Sequence, residues 1–256
     1  MTTYHVLGPL AVRDGGGDRT PRGPKIGKVL ALLLLRAGEV VSVRTLAEEL
    51  WDERPPRTAV TTIRTHVYHL RKALEATDAG ADALRTEPTG YRFARLPGPL
   101  DAEEFVKATD QGNALLRRGQ AADAATLLRS ALSVWRGSAL AGIDPGPVLS
   151  LHVEHLEELR VRALELRIEA DMACGRHRQL VPELRGLVAA HPLNEWFHAR
   201  LIDALHRSGR RSDALRAYGA VRGLLDRELG LEPSPELQRV QQEVLTGRRI
   251  AVAAAV

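Results

Sequence analysis

The sequence predicts a mainly α protein in two parts. A winged helix-turn-helix, with a small sheet and a wing hairpin, is followed by an all-α, tetratricopeptide-like helical region. Three observations lead there. Strand and helix signals alternate over the first 97 residues, and two prolines interrupt the helical signal just before an amphipathic segment at 57–75. From Asp101 onward the apolar periodicity is helical throughout. Within that stretch Gly175 and Gly209 stand 34 residues apart, the period of tetratricopeptide helix pairs.

The elements follow in order. YHVLGPLAV (4–12) is extended in character, and DGGGD (14–18) is a turn cluster suited to closing a hairpin. TPRGPK (20–25) keeps the chain irregular until KIGKVLALLLLRAG (25–38), whose apolar run predicts a buried helix ended by Gly38 at C′. In VVSVRTLAEELW (40–51), Ser42 is placed to cap a helix with Leu46 and Leu50 one turn apart on its inner face. DERPPRT (52–58) breaks that helix, and LRTEPTGYRFA (84–94) reads as a β-hairpin with its tip near Glu87–Gly90.

In the second part Gly119, Gly175 and Gly209 each precede an amphipathic stretch. Ala214 and Tyr218, four apart, give the small-then-large pairing that stacked helices need. The 56 residues from Gly119 to Gly175 imply an insertion near RGSALAGIDPGPV (136–148). The division expected is 1–97, 98–245 and a tail, 246–256, that has no partner stripe and is expected to fray.

Charge is unevenly spread. Residues 1–96 carry 15 Lys and Arg against 11 Asp and Glu, whereas 97–256 carry 21 of each, so the formal +4 lies wholly in the first part. Hydrophobic and charged contents of 44% and 27% are those of a chain able to bury cores. The single cysteine, Cys174, excludes an internal disulfide framework and agrees with a reducing compartment. The start, MTTYHVLGPL, lacks the basic and apolar regions of a signal peptide, and the longest apolar run, VLALLLL, is far short of the ~20 residues of a membrane span. A cytoplasmic location is expected.

The segment RTAVTTIRTHVYHLRKALE (57–75) carries the functional signal. At 100° per residue Val60, Ile63, Val67, Leu70 and Leu74 share one arc, predicted to be buried. The opposite face holds Thr58, Thr61, Thr65, Tyr68, His69 and Lys72; Arg57, Arg64 and Arg71 form a row on one flank, with Thr62 and His66 on the other. No acid occurs over 54–74. Such a face suits the DNA major groove. Threonine hydroxyls pair with donors or acceptors on base edges, lysine suits guanine acceptors, and guanidinium forks meet phosphate oxygens with two parallel bonds. The base-facing candidates are Thr58, Thr61, Thr62, Thr65, His69 and Lys72; the phosphate candidates are Arg57, Arg64, His66, Tyr68 and Arg71. The hairpin supplies Arg85, Thr86, Thr89, Tyr91 and Arg92 as wing contacts.

RTHVYHLRKALE followed by TEPTGYRF resembles the recognition helix and wing of OmpR-type regulators. VLALLLLRAGEVVSVRTLAEELWDERPP is similar, more narrowly, to the Streptomyces antibiotic regulatory protein family. The likeness continues through HPLNEWFHARLIDALHRSGRRSDALRAYGAVRGLLDRELGLEPSPEL (191–237), which resembles the bacterial transcriptional activation domain of that family. The resemblance spans about residues 4–245. It implies an actinobacterial activator of a secondary-metabolite (antibiotic) gene cluster. Such a protein binds direct repeats near the −35 element of double-stranded DNA as a homodimer or tandem pair, and recruits RNA polymerase holoenzyme through its sigma factor. His66, Tyr68, His69 and Arg71 match positions that touch DNA in OmpR-type domains, and Arg85–Gly90 match the wing. Two departures stand out: His69 where relatives often have arginine, and Glu87 where the wing usually has arginine. A carboxylate there either keeps the wing back from the phosphates or leaves the work to Arg85 and Arg92. No receiver-type segment precedes the first strand, so an aspartate-phosphorylation switch is not expected.

An enzyme is not expected. GxGxxG, Walker A and nucleophile-elbow patterns are missing from the sequence, and no catalytic residue, cofactor or metal is called for. His152 and His155, three apart in HVEH, offer two metal ligands at most and read as a solvated face. Cys174 reads as packed at a helix junction. The alternatives are a tetratricopeptide-like peptide-binding scaffold, or a repressor using the same DNA-binding domain.

Overall fold

A computed structural model describes residues 1–75, 77, 80–93 and 98–247. The tail from 248 and the stretch 94–97, which contains the boundary expected at 97, lie outside the described residues. The chain forms two compact units: unit 1 is Met1–Ala114 with Thr126–Leu164, and unit 2 is Leu115–Ala125 with Glu165–Val256.

Unit 1 begins with an antiparallel sheet of β1 (Thr3–His5), β2 (Ala11–Asp14) and β3 (Gly17–Asp18). The turn cluster closes the β2–β3 hairpin, as its glycines predict. Helix α1 (Pro24–Leu35) starts at Pro24, whose fixed φ suits the first helical position. Its residues Val29–Leu34 are all buried, which is why its apolar run has no polar face. The helix ends at Arg36, two residues before the glycine expected at C′. Gly38 instead lies beyond the end at φ 88, and its N–H donates to Phe93 O at 2.8 Å.

Ser42 caps α2 (Val43–Trp51), its hydroxyl accepting the Thr45 N–H at 3.0 Å. After the proline break comes α3 (Ala59–Glu75), which buries Ala59, Ile63, Val67, Leu70 and Leu74 against α1 and α2. A second sheet orders β4 (Val41–Ser42), β6 (Gly90–Phe93) and β5 (Leu84–Glu87). Gly90 is demanded by sterics: a Cβ there would stand 2.0 Å from Val41 O.

The same core takes in α4 (Asp101–Arg117), part of α5 (Ala121–Ser133) and the first turns of α6 (Pro147–Ala173). Two buried carboxylates hold these pieces. Asp101, 7% exposed, accepts the N–H groups of Val6 at 2.8 Å and Leu7 at 3.2 Å, with Arg136 at 3.2 Å beside it. Glu49, 1% exposed, accepts from Gly146 at 2.6 Å, Val148 at 3.1 Å and Leu149 at 2.8 Å, capping α6 from α2. The non-helical stretch between Ser133 and Pro147 is where the insertion was expected.

In unit 2, α7 (His177–Ala190), α8 (Glu195–Arg207), α9 (Arg211–Leu229) and α10 (Pro235–Thr246) pack as successive helix pairs. Gly119, Gly175 and Gly209 take φ values of 76, 76 and 77, one left-handed turn used three times. Ala214 and Tyr218 are both buried, as their spacing predicts.

Candidate nucleic-acid interface

Helix α3 is the second helix of a helix-turn-helix, and burial of its apolar stripe fixes what it presents outward. Thr58, Thr61, Thr65, Tyr68, His69 and Lys72 are exposed, as are Arg57 and Arg64; Thr62, His66 and Arg71 are half-buried. Val60 departs from expectation. It is 44% exposed, because Ala59 fills the place that the wheel gave to Val60 at the first turn. The buried set thus runs 59, 63, 67, 70, 74.

Local bonds set what the exposed groups can do. The Thr65 hydroxyl donates to Thr61 O at 3.1 Å, leaving its lone pairs and methyl outward as an acceptor and apolar contact. Lys72 Nζ lies 5.4 Å from the Tyr68 ring centroid, and Tyr68 and His69 meet edge to face at 5.5 Å. The Lys72 pKa is raised, first by hydrogen bonding to Tyr68, so this ammonium is charged at neutral pH. These three side chains form one continuous ring-and-cation surface.

Two arginines are committed within the fold. Arg71 Nε donates to Leu84 O at 3.0 Å and its second nitrogen to Thr86 Oγ1 at 2.8 Å, so it clamps α3 to the first wing strand. Arg92 reaches Glu87 Oε1 with Nε at 2.9 Å and with a terminal nitrogen at 2.6 Å. That pair neutralises Glu87 inside the hairpin, so the carboxylate does not stand alone in the wing, and Arg92 is held by it. Tyr91, named as a wing contact, is 6% exposed and belongs to the core; strand alternation points it inward, opposite Arg92. Arg85, Thr86 and Thr89 are exposed on the wing.

The sequence reading passed over one cluster. A cavity of about 620 Å³ beside α3 is lined by Arg22, Lys25, His66 and His69, with no acid among its lining residues. Lys25 packs over the Trp51 ring at 4.6 Å. Burial, and then Lys25, push the His66 pKa down, and its buried Nε2 has no hydrogen-bond partner among the described residues. Two cations inside TPRGPK were the available signal, hidden because that stretch has no periodicity of its own. His152 and His155 stand elsewhere, at a groove on α6, and no metal-binding cluster is found among the described residues. No helix among the described residues is long and apolar enough to cross a membrane.

Known proteins share this arrangement over nearly the whole chain. The model of the bacterial transcriptional activator domain matches residues 100–245, and that of the transcriptional regulatory protein C-terminal domain matches 17–93. The regulatory protein DnrI of Streptomyces peucetius is 40% identical over 247 residues, covering 94% of this chain and 91% of its own. The chain belongs to the Streptomyces antibiotic regulatory protein family. As a member of that family it is a transcriptional regulator of the activator type. The regulatory protein AfsR of Streptomyces coelicolor is 39% identical over 246 residues, but the chain spans only 24% of its length. The transcriptional regulator RedD of Streptomyces coelicolor is 34% identical and 69% covered. Among solved structures, Mycobacterium tuberculosis EmbR in complex with a low-affinity phosphopeptide superposes with a TM-score of 0.92 at 32% identity. It covers 98% of this chain, which spans 66% of that one. The family's fold, an OmpR-type winged helix-turn-helix followed by a helical domain, is the fold seen here.

Proposed function

We propose that this family member binds double-stranded DNA sequence-specifically in the cytoplasm, without enzymatic activity, and activates a secondary-metabolite gene cluster. Helix α3 enters the major groove. Thr58, Thr61, Thr62, Thr65, His69 and Lys72 meet base edges, Arg57, Arg64, His66 and Tyr68 meet phosphates, and Arg85 with Thr89 extends the contact from the wing. Arg71 and Arg92 act one step back, fixing the wing's angle and form. One observation carries the reading: a face of hydroxyls, imidazoles and cations, free of acids up to Leu74, stands outward on a helix whose opposite stripe is buried. Its partner is a duplex with direct repeats near the −35 element, to which two protomers bind head-to-tail about one turn, or 10–10.5 bp, apart. RNA polymerase holoenzyme, through its sigma factor, is then recruited to the same face.

A gel shift with duplexes bearing two repeats at one-turn spacing, at half-turn spacing, or one repeat alone tests this. Tight binding confined to the one-turn pair supports the reading; equal affinity for a single repeat contradicts the tandem arrangement. Run-off transcription with holoenzyme then separates an activator, which raises transcript from the repeat-bearing promoter, from a repressor.

A further inference from the structure

A helix lying in the major groove runs between two walls of phosphates, one along each flank. On α3 the flanks are unequal. Arg57, Arg64 and Arg71 line one, whereas the other carries Thr62, His66 and Ala73 and no full cation of its own. The cavity of about 620 Å³ opens on that second flank, and its far side is the chain leading into α1, with Arg22 and Lys25 both exposed. His69 belongs to the outward face of α3 and also lines the cavity, so the two surfaces are continuous.

Three observations give the cavity its ligand chemistry. Its charged and titratable lining is two cations and two imidazoles. Asp18 lies within electrostatic reach of Arg22 but is outside the lining, and its carboxylate already accepts the Thr20 N–H at 2.8 Å and the Thr20 hydroxyl. The buried Nε2 of His66 has no hydrogen-bond partner among the described residues, so with its proton there it lacks an acceptor that an anion would supply. Finally, Gly23 to Ile26 bring the positive end of α1 to the cavity; Gly23 has no capping side chain and no acid stands in the first turn.

We propose, on the reading of α3 as the groove helix, that this cavity seats a backbone phosphate of the duplex on the wall opposite Arg64. Arg22 and Lys25 supply the charge and His66 a hydrogen bond. The chain before α1 thus completes a grip that α3 makes on one wall alone.

The test measures binding of the full chain to a duplex with two repeats at one-turn spacing across a salt series. Arg22→Gln and Lys25→Gln should each weaken binding severalfold, with the slope of log affinity against log salt shallower by about one and circular dichroism unchanged. Arg22→Lys should keep the slope, and Lys107→Gln, an equal loss of exposed charge on α4, should leave affinity in place. Single methylphosphonate replacements then locate each contact: the phosphates to which Arg22→Gln has become indifferent should lie on the opposite wall from those to which Arg64→Ala has. If Arg64→Ala loses its salt slope while Arg22→Gln and Lys25→Gln bind as wild type, the phosphate seat is overturned and the groove helix stands. If none of the three changes the slope, the groove helix itself is wrong. Indifference of Arg22→Gln and Arg64→Ala to the same phosphates overturns the two-wall grip. Stabilisation of the DNA-free chain by inorganic phosphate over chloride at equal ionic strength, lost in an Arg22→Gln chain that keeps full DNA affinity, would make this a site for a free anion and overturn the duplex as its source.

Discussion

Unit 1 and unit 2 are held together by different kinds of bond. In unit 2 the joints are local and repeated. At each of Gly119, Gly175 and Gly209 the glycine N–H returns to the carbonyl three residues back, and the next N–H to the carbonyl five back. Several of its ion pairs are local too: Arg207 with Asp203 at 2.7 Å, Arg239 with Glu243 at 2.6 Å, and Asp171 between Arg167 and Arg176, while Arg200 with Glu236 joins α8 to α10. In unit 1 the decisive bonds span the sequence, Asp101 to Val6 over 95 residues and Glu49 to Leu149 over 100. The difference teaches that the winged helix-turn-helix cannot be cut out at its sequence boundary. Its core includes Phe105, Trp135 and Leu149, which belong by sequence to the activation domain.

The largest test of that contrast is Glu49→Ala. Removal of the carboxylate leaves three backbone donors without their acceptor at the start of α6, and a loss of about 3 kcal/mol is expected. Hydrogen exchange reads where the loss falls: the amides of Gly146, Val148 and Leu149 and the rest of unit 1 should lose protection while α8 and α9 keep theirs. A loss below about 1 kcal/mol would show that water or neighbouring groups replace the cap. The counterpart in unit 2 is Gly209→Ala. Nothing lies within 4 Å of the place its Cβ would take, so the cost is backbone conformation alone, about 1–2 kcal/mol. Gly175→Ala should cost the same within error of urea melts, since the two turns share their φ. Unequal costs would break the account of a repeated, self-sufficient joint.

That division also explains what the sequence disclosed. The glycine turns, the Ala214–Tyr218 pairing, the Ser42 cap and the hairpin are set by residues within about ten positions of one another, where periodicity and turn chemistry operate. The buried role of Glu49 was not legible, because a glutamate on an amphipathic helix looks solvated until residue 146 is known to arrive beside it. At the interface the apolar stripe was legible but its first member was not. A helical wheel treats Ala59 and Val60 by angle alone, whereas the end of a helix is buried only where a neighbour covers it. The partners of Arg71 and Arg92 were hidden for the same reason: sequence shows charge, and only the fold shows that Leu84, Thr86 and Glu87 bind those guanidiniums.

The two roles of arginine on unit 1 separate in a salt series. Arg64→Ala removes an exposed cation, so DNA affinity should fall severalfold and the slope of log affinity against log salt should become shallower by about one. Arg71→Gln breaks the clamp instead. Faster amide exchange across 84–86 is expected with a smaller change of slope, because that guanidinium faces the wing. Equal slopes for wild type and Arg64→Ala would remove Arg64 from the phosphate set.

The smallest effect is acid sensitivity, and it should be unequal between the units. His5, His66 and His152 in unit 1, and His198 in unit 2, all have pKa values lowered, with burial the largest cause in each. A lowered histidine pKa means that the unfolded chain takes up a proton first. Stability is therefore full above the unfolded value near 6.5 and declines as pH falls below it, levelling off once the folded pKa is passed. With three such groups against one, amide protection in unit 1 should fall more than in unit 2 between pH about 7.5 and about 5.5. His198, whose ring nitrogen meets Pro192 O at 2.9 Å, gives the control. His198→Asn should flatten the pH dependence of unit 2 and leave that of unit 1 in place. Equal acid losses in the two units, or a unit 2 dependence that survives the substitution, would trace the effect to groups other than these four imidazoles.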